Sequence, residues 1–173
     1  CGSGTILMEA FMIGIKNLVA SDIDSRAVLN TGNNLRWVFD LVGTKPKLKL
    51  QESSAANLKL FLQPESVDYI VTEPFLGKNR TGHESRKEAQ EIVDRLTAMY
   101  RESFGALKPL LKKGGKLVVA LPVHYVDEQP FELPIDKIFL EKGYKLIKNT
   151  QNRLIYRHTG QYVGREILIF SVT

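Results

Sequence analysis

Apolar positions along the chain follow two periods that take turns. From Thr5 to Lys16, Ile6, Leu7, Ala10, Phe11 and Ile15 recur on roughly one helix face, with Gly14 near the end. Asn17 to Asp22 reads as a short strand. Asp24 or Ser25 is placed to cap a second helix carrying Ala27, Val28, Asn34, Leu35 and Val38. Lys47–Gln51 and Val67–Glu73 follow as strands. Glu84 to Lys112 predicts a long helix through Ile92, Leu96, Met99, Tyr100 and Leu107, with a break at Pro109. Gly114-Gly115 turns into the strand Lys116–Pro122. A short helix over Asp136–Lys142 ends at Gly143. Two extended segments, Tyr144–His158 and Tyr162–Val172, close the chain around Gly160. By their helical spacing Trp37 and Tyr100 are expected in the core, and His124 is expected to be structural.

Alternating helices and strands imply an α/β fold with a doubly wound, mostly parallel sheet. The link between the last two extended segments is too short for a crossover helix, so they are expected to form an antiparallel hairpin. With 173 residues, the chain suits one domain spanning residues 1–173.

Composition narrows the classes further. One cysteine excludes an internal disulfide, and three histidines without ligand spacing argue against a metal site. No apolar run approaches the roughly 20 residues that span a bilayer, so no membrane role is expected and a cytoplasmic setting fits. The net charge of +5 is uneven: from Asp136 onward seven Lys/Arg face three acids. A basic end suits a polyanion such as RNA, with Arg153, Arg157 and Arg165 as candidate contacts, or a solvated basic face. Arg80 is a further candidate phosphate contact, or part of a solvated loop.

Two stretches carry chemistry. Cys1-Gly2-Ser3-Gly4-Thr5 leads directly into a helix. Glycines there let backbone approach a ligand, and the helix start offers free N–H groups to an anion. About twenty residues on, Ser21-Asp22-Ile23-Asp24 ends the next strand, where an acid can accept from both ribose hydroxyls. Ile23 can pack on an adenine face; a helix cap is the plainer reading of Asp22. Farther along, V-T-E-P-F-L-G leaves Glu73 at the carboxyl edge of a strand, where α/β sheets bind ligands, with Pro74 and Phe75 in the turn after it.

C-G-S-G-T-I-L-M-E-A resembles the cofactor loop of S-adenosylmethionine-dependent methyltransferases. Within them it is similar to the RNA methylase family that includes THUMP-associated tRNA guanosine-N2 methyltransferases. S-D-I-D-S-R-A-V resembles that family's acid-ended second strand. V-D-Y-I-V-T-E-P-F-L-G falls where the family has its catalytic Asp-Pro-Pro-Tyr type tetrapeptide, and G-G-K-L-V-V-A-L-P resembles the strand after it. Y-R-H-T-G-Q-Y-V-G-R-E-I-L is similar to the closing hairpin.

The resemblance implies a Rossmann-like methyltransferase sheet whose first central strand, with an RNA-binding domain, precedes Cys1. It implies an S-adenosyl-L-methionine site at Gly2, Ser3, Gly4, Thr5, Asp22, Ile23, Ser54 and Glu73. Glu73, Pro74 and Phe75 become the catalytic loop. Three departures accompany it: the absent strand, Ser54 (with Glu52 nearby) where an acid usually holds the adenine amine, and Glu-Pro-Phe-Leu in the tetrapeptide. The implied activity is methylation of an exocyclic base amine in RNA, guanosine N2 in tRNA. The alternatives are a DNA amino-methyltransferase and a catalytically weakened RNA-binding module of the same fold.

Overall fold

A computed structural model describes residues 1–78, 82–147 and 153–173, which fall into two units, Cys1–Phe61 and Leu62–Thr173. In the first, helix α1 (Thr5–Met12) is followed by strand β1 (Asn17–Asp22), helix α2 (Ser25–Val42), strand β2 (Lys47–Glu52) and a 3-10 turn at Ala55–Leu60. The Asp24 carboxylate caps α2, accepting from the Arg26 N–H at 2.9 Å. The helix stops at Gly43, which takes the left-handed φ of 74° that an L side chain resists. β1 and β2 pair in parallel from Asn17↔Lys47 to Asp22↔Glu52, so both strands end on one edge with an acid. Leu7, Leu18, Ala20 and Leu35 form the buried core, with Phe11 edge-on to Phe39 at 4.8 Å.

The expectation for Trp37 fails. α2 buries Thr31, Leu35 and Val38, whereas Trp37 is 67% exposed. Two residues beyond Leu35, Trp37 is rotated by about 200° from the buried stripe, to the far side of the helix.

The second unit comprises β3 (Val67–Thr72), α3 (Arg86–Leu107), a 3-10 turn at Lys108–Leu110, β4 (Leu111–Val126), β5 (Gln129–Phe131), α4 (Ile135–Ile138), a 3-10 turn at Leu140–Lys142, β6 (Tyr144–Leu146), β7 (Ile155–Tyr156) and β8 (Val163–Val172). Ser85 and Glu88 form a reciprocal capping box at the start of α3. Pro109, which has no N–H to donate, lies in the tightened turn that ends it. The sheet order is β3-β4-β8-β6, with β5 on β4 and β7 on β8. β3 and β4 are parallel, Thr72 opposite Val119. β8 runs antiparallel to β4, from Lys116↔Ser171 to His124↔Val163.

The closing antiparallel pair is therefore present, but β6 and β7 are short and both dock on β8. β4 also outruns its expected end at Pro122. Asp127 and Glu128 adopt φ of 50° and 59° and join β4 to β5 through a two-residue loop. Left-handed conformations suit the twist of such a hairpin, and Asp127 is a usual first residue for it, yet Glu128 stands where a glycine would announce it. Among the described residues β1 pairs only with β2 and β3 only with β4, and none of the helices is long and apolar enough to cross a membrane.

Aromatic rings hold the second core. Phe139 is fully buried, stacked on Phe170 at 4.3 Å and tilted against Phe104 at 4.8 Å. Truncating it removes its ring contacts with Phe104, Phe170 and Tyr144 together. Phe139→Ala should cost about 3–5 kcal/mol in denaturant unfolding of the full chain, while Trp37→Ala should stay within about 0.5 kcal/mol. An unchanged midpoint for Phe139→Ala would remove this cluster from the core.

Candidate active site

In the first unit the glycine loop is fixed from behind by α2. Gly4 has φ of 87°, and a Cβ there would sit 3.0 Å from Thr31 Cγ2 and 3.3 Å from Thr31 Cα. Conformation and space both demand glycine. Thr31, fully buried, donates its hydroxyl to the Gly2 carbonyl at 3.0 Å. One helical turn on, Asn34 Nδ2 donates to the Ser3 carbonyl at 2.8 Å. A Cβ at Gly2 would meet nothing within 4 Å, so the loop's outer side is open. The Ser3 and Thr5 hydroxyls lie 3.2 Å apart at the exposed start of α1.

Asp22 closes the loop from the strand side. Its Oδ2 accepts from the Gly2 N–H at 3.0 Å and the Cys1 nitrogen at 2.6 Å, and its Oδ1 from the Asp24 N–H at 3.1 Å. Burial pushes this carboxyl up, but the N–H donors of Gly2 and Asp24, with the Cys1 nitrogen, outweigh it and hold it below the usual carboxylate range. Ile23 follows with 74% of its surface exposed. The Ser53 N–H donates to the Asp22 carbonyl at 2.9 Å, which sets Ser54, half-buried, just past the end of β2. Gly2, Ser3, Gly4, Thr5, Asp22, Ile23 and Ser54 thus gather at the carboxyl ends of β1 and β2. Periodicity did not single out Thr31, and it placed Asn34 on α2 without a role in the loop. Their only signal is a pair of polar side chains three apart on the face of α2 that carries Leu35.

In the second unit Glu73 follows β3 directly, and its carboxylate meets Arg165 of β8. Arg165 Nε lies 3.2 Å from Oε1 and 3.3 Å from Oε2. The loop after it is anchored from the core. Tyr100, 1% exposed, donates its hydroxyl to the Phe75 carbonyl at 2.6 Å. Burial, with the negative charge of Glu73, pushes Tyr100 ionisation well above the usual phenol range, so it remains a donor. Gly77 has φ of 99°, and a Cβ there would come 3.3 Å from Ile92 Cγ2 and 3.4 Å from the ring of buried His124. His124 therefore lies within β4, behind the loop. Held this way, the backbone presents the Phe75 ring outward, 60% exposed.

The candidate arginines Arg153 and Arg157 are engaged by acids. Arg153 makes a two-point contact with Glu166 at 2.6 and 2.7 Å and a third bond to Glu132 at 2.6 Å. Arg157 grips Glu128 at 2.7 and 3.0 Å, with its guanidinium 3.9 Å over the Tyr125 ring. Arg80 lies outside the described residues.

The model of the UPF0020 family, described as the RMKL-like methyltransferase domain, matches residues 1–132. The chain belongs to this family. Its fold is similar to that of a SAM-dependent methyltransferase from Methanosarcina mazei, with a TM-score of 0.66 at 15% identity over 99% of this chain and 89% of that one. N-methyltransferase NodS from Bradyrhizobium japonicum WM9, in complex with S-adenosyl-L-homocysteine, gives 0.62 at 16% identity over 99% and 74%. An rRNA methylase from Streptococcus thermophilus gives 0.55 at 15% identity over 99% and 82%. At such identities the likeness is one of Rossmann-like fold. Among curated proteins no sequence matches. The UPF0020 match takes in the glycine loop, Asp22, Ser54 and Glu73, whereas Arg153, Arg157 and Arg165 lie beyond it.

Asp22 makes stability depend on acid. A carboxyl held below its unfolded value stabilises the fold fully above about pH 4 and loses that contribution as the pH falls through its lowered folded value. Asp22→Asn should forfeit it already at neutral pH and unfold with a flatter acid limb. Parallel acid limbs for the two proteins in urea titrations would show that Asp22 titrates alike folded and unfolded.

Proposed function

We propose that this UPF0020 chain uses S-adenosylmethionine to methylate an exocyclic base amine in RNA, guanosine N2 in tRNA, as a catalytic domain working with an RNA-binding domain in the full-length protein. The observation that carries this reading is Glu73: a carboxylate at the end of β3, aimed by Arg165, beside the outward ring of Phe75.

The loop's chemistry fits the methyl donor. At Gly4 a side chain would strike Thr31, and at Gly2 the backbone is bare, so amide groups and the first N–H groups of α1 can meet a carboxylate directly. Asp22 is ionised at neutral pH, and Ile23 offers an apolar surface next to it. These residues would hold ribose and adenine, and Ser54 would accept from the adenine amine less strongly than a charged acid would. When bound, S-adenosylmethionine supplies a methyl on a cationic sulfur, which leaves as the neutral thioether as the amine lone pair forms the new N–C bond.

The remaining work falls to side chains. A base amine is a poor nucleophile because its lone pair is shared with the ring. Glu73 would accept one amine N–H, turn the lone pair outward and take up the proton released on methylation. Phe75 would stack on the base once it has left its own stack. Support for RNA comes from the neighbour called an rRNA methylase and from the exposed lysines Lys137, Lys142 and Lys145 near the end of the chain.

Transfer of labelled methyl from S-adenosylmethionine to bulk tRNA tests this in the full chain. Glu73→Ala should lower turnover by about 10²-fold or more, with Glu73→Gln intermediate because it keeps a carbonyl acceptor. Phe75→Ala should mainly weaken RNA binding, by about 1–3 kcal/mol. Label appearing in single-stranded DNA and not in RNA would move the enzyme to the DNA amino-methyltransferases; full turnover in Glu73→Ala would reduce the strand-end acid to a turn residue.

Cofactor affinity is a separate readout. Asp22→Ala should weaken S-adenosylmethionine binding by about 1.5–3 kcal/mol in calorimetry. Unchanged affinity in a folded variant would take Asp22 out of the site.

A further inference from the structure

We propose that Arg165 is a positioning residue for Glu73, and that the glutamate at this position and Arg165 form a matched pair. The inference rests on Glu73 being the amine acceptor, as read above.

Arg165 belongs to β8, where it is paired with Pro122 of β4 and Tyr156 of β7. Its side chain reaches past β4 to the end of β3, 92 positions away in sequence. It spans that distance because β4 lies between β3 and β8 in the sheet. The single Nε–H points between the two carboxylate oxygens, at 3.2 and 3.3 Å. A donor centred in this way fixes the direction of the carboxylate. It occupies one lone-pair direction on each oxygen, and an ionised carboxylate has about four, so an amine N–H still has a place to donate.

The distances decide the length of the acid. Charge-assisted N–H···O bonds settle near about 2.7–2.9 Å, so this contact is already long. Removing one methylene would take the carboxylate out of reach of Nε. An aspartate here would keep the charge and lose the partner that aims it.

A role on the substrate backbone predicts otherwise. Arg165 would then add Coulomb attraction to a phosphate, independently of Glu73. Its loss would lower RNA affinity and reduce the salt slope of binding by about one. Arg153 and Arg157 do not confuse the comparison, since each is held by other acids.

A double-mutant cycle on the full chain separates the two roles, read by methyl transfer to tRNA and, without cofactor, by fluorescence anisotropy of labelled tRNA across a salt series. Arg165→Met should lower kcat about tenfold, leave KM for tRNA and the salt slope unchanged, and be partly rescued by Arg165→Lys. Within a Glu73→Gln background, Arg165→Met should add almost nothing. Glu73→Asp should behave like Glu73→Gln and be equally insensitive to Arg165, which keeps the test intact should Arg165→Met misfold. Losses that multiply across the cycle, a shallower salt slope in Arg165→Met, or Glu73→Asp turning over as fast as wild type would each overturn the pairing. A wild-type chain that methylates no nucleic acid would remove the function and this inference together. An active wild type with multiplying losses would remove the pairing alone.

Discussion

A carboxylate at the end of a parallel strand has left the ladder and must find donors elsewhere, because a half-buried charge without partners costs more than the strand end gains. Asp22 is in that position; Glu73 is more exposed, and each takes a partner remote in sequence. Asp22 takes N–H groups from the loop twenty residues earlier, and Glu73 takes a guanidinium from β8. Loop shape is thereby tied to strand register. Shift β8 by one residue against β4 and every side chain on it changes face, which would turn Arg165 away from Glu73.

That dependence explains which parts of the candidate site were legible in the sequence. The glycine loop, Asp22 and Glu73 are defined by short spacings and by where a hydrophobic run stops, and local physics places them. Thr31, Asn34, Tyr100 and Arg165 gain their roles only through contacts made across the fold, and no window of neighbouring residues contains that information. Trp37 shows the same limit from the other side: it falls within a helical pattern, yet the rotation set by Leu35 and Val38 turns it to solvent. The hairpin after β4 was hidden because Glu128 takes a left-handed conformation where glycine is usual.

Charge misleads in a related way. The surplus in the last fifth of the chain is real as a count, but a count is not a surface. Arg153, Arg157 and Arg165 each lie against a carboxylate, two of them through two-point contacts that a phosphate must displace before it binds. Two of those acids, Glu132 and Glu128, lie before the segment whose charge was counted, and Glu73 lies farther still. The exposed positive charge of the described tail rests instead on Lys137, Lys142 and Lys145, whose compact, hydrated ammonium groups interact with a polyanion without directional demands.

Tyr100 joins these arguments to the core. A phenylalanine would pack the same helix face beside Phe104, whose ring lies 5.7 Å away, and would leave the Phe75 carbonyl without its donor. The hydroxyl is nearly as buried as the ring, so its proton stays in place and its single short bond at 2.6 Å has little competition from water. Through it, α3 dictates the path of the backbone at Phe75, while Gly77 clears His124 and Ile92 two residues on. The aromatic core and the exposed aromatic ring are thus set by one helix. The ring can stand out in solvent because the carbonyl beneath it is held from within.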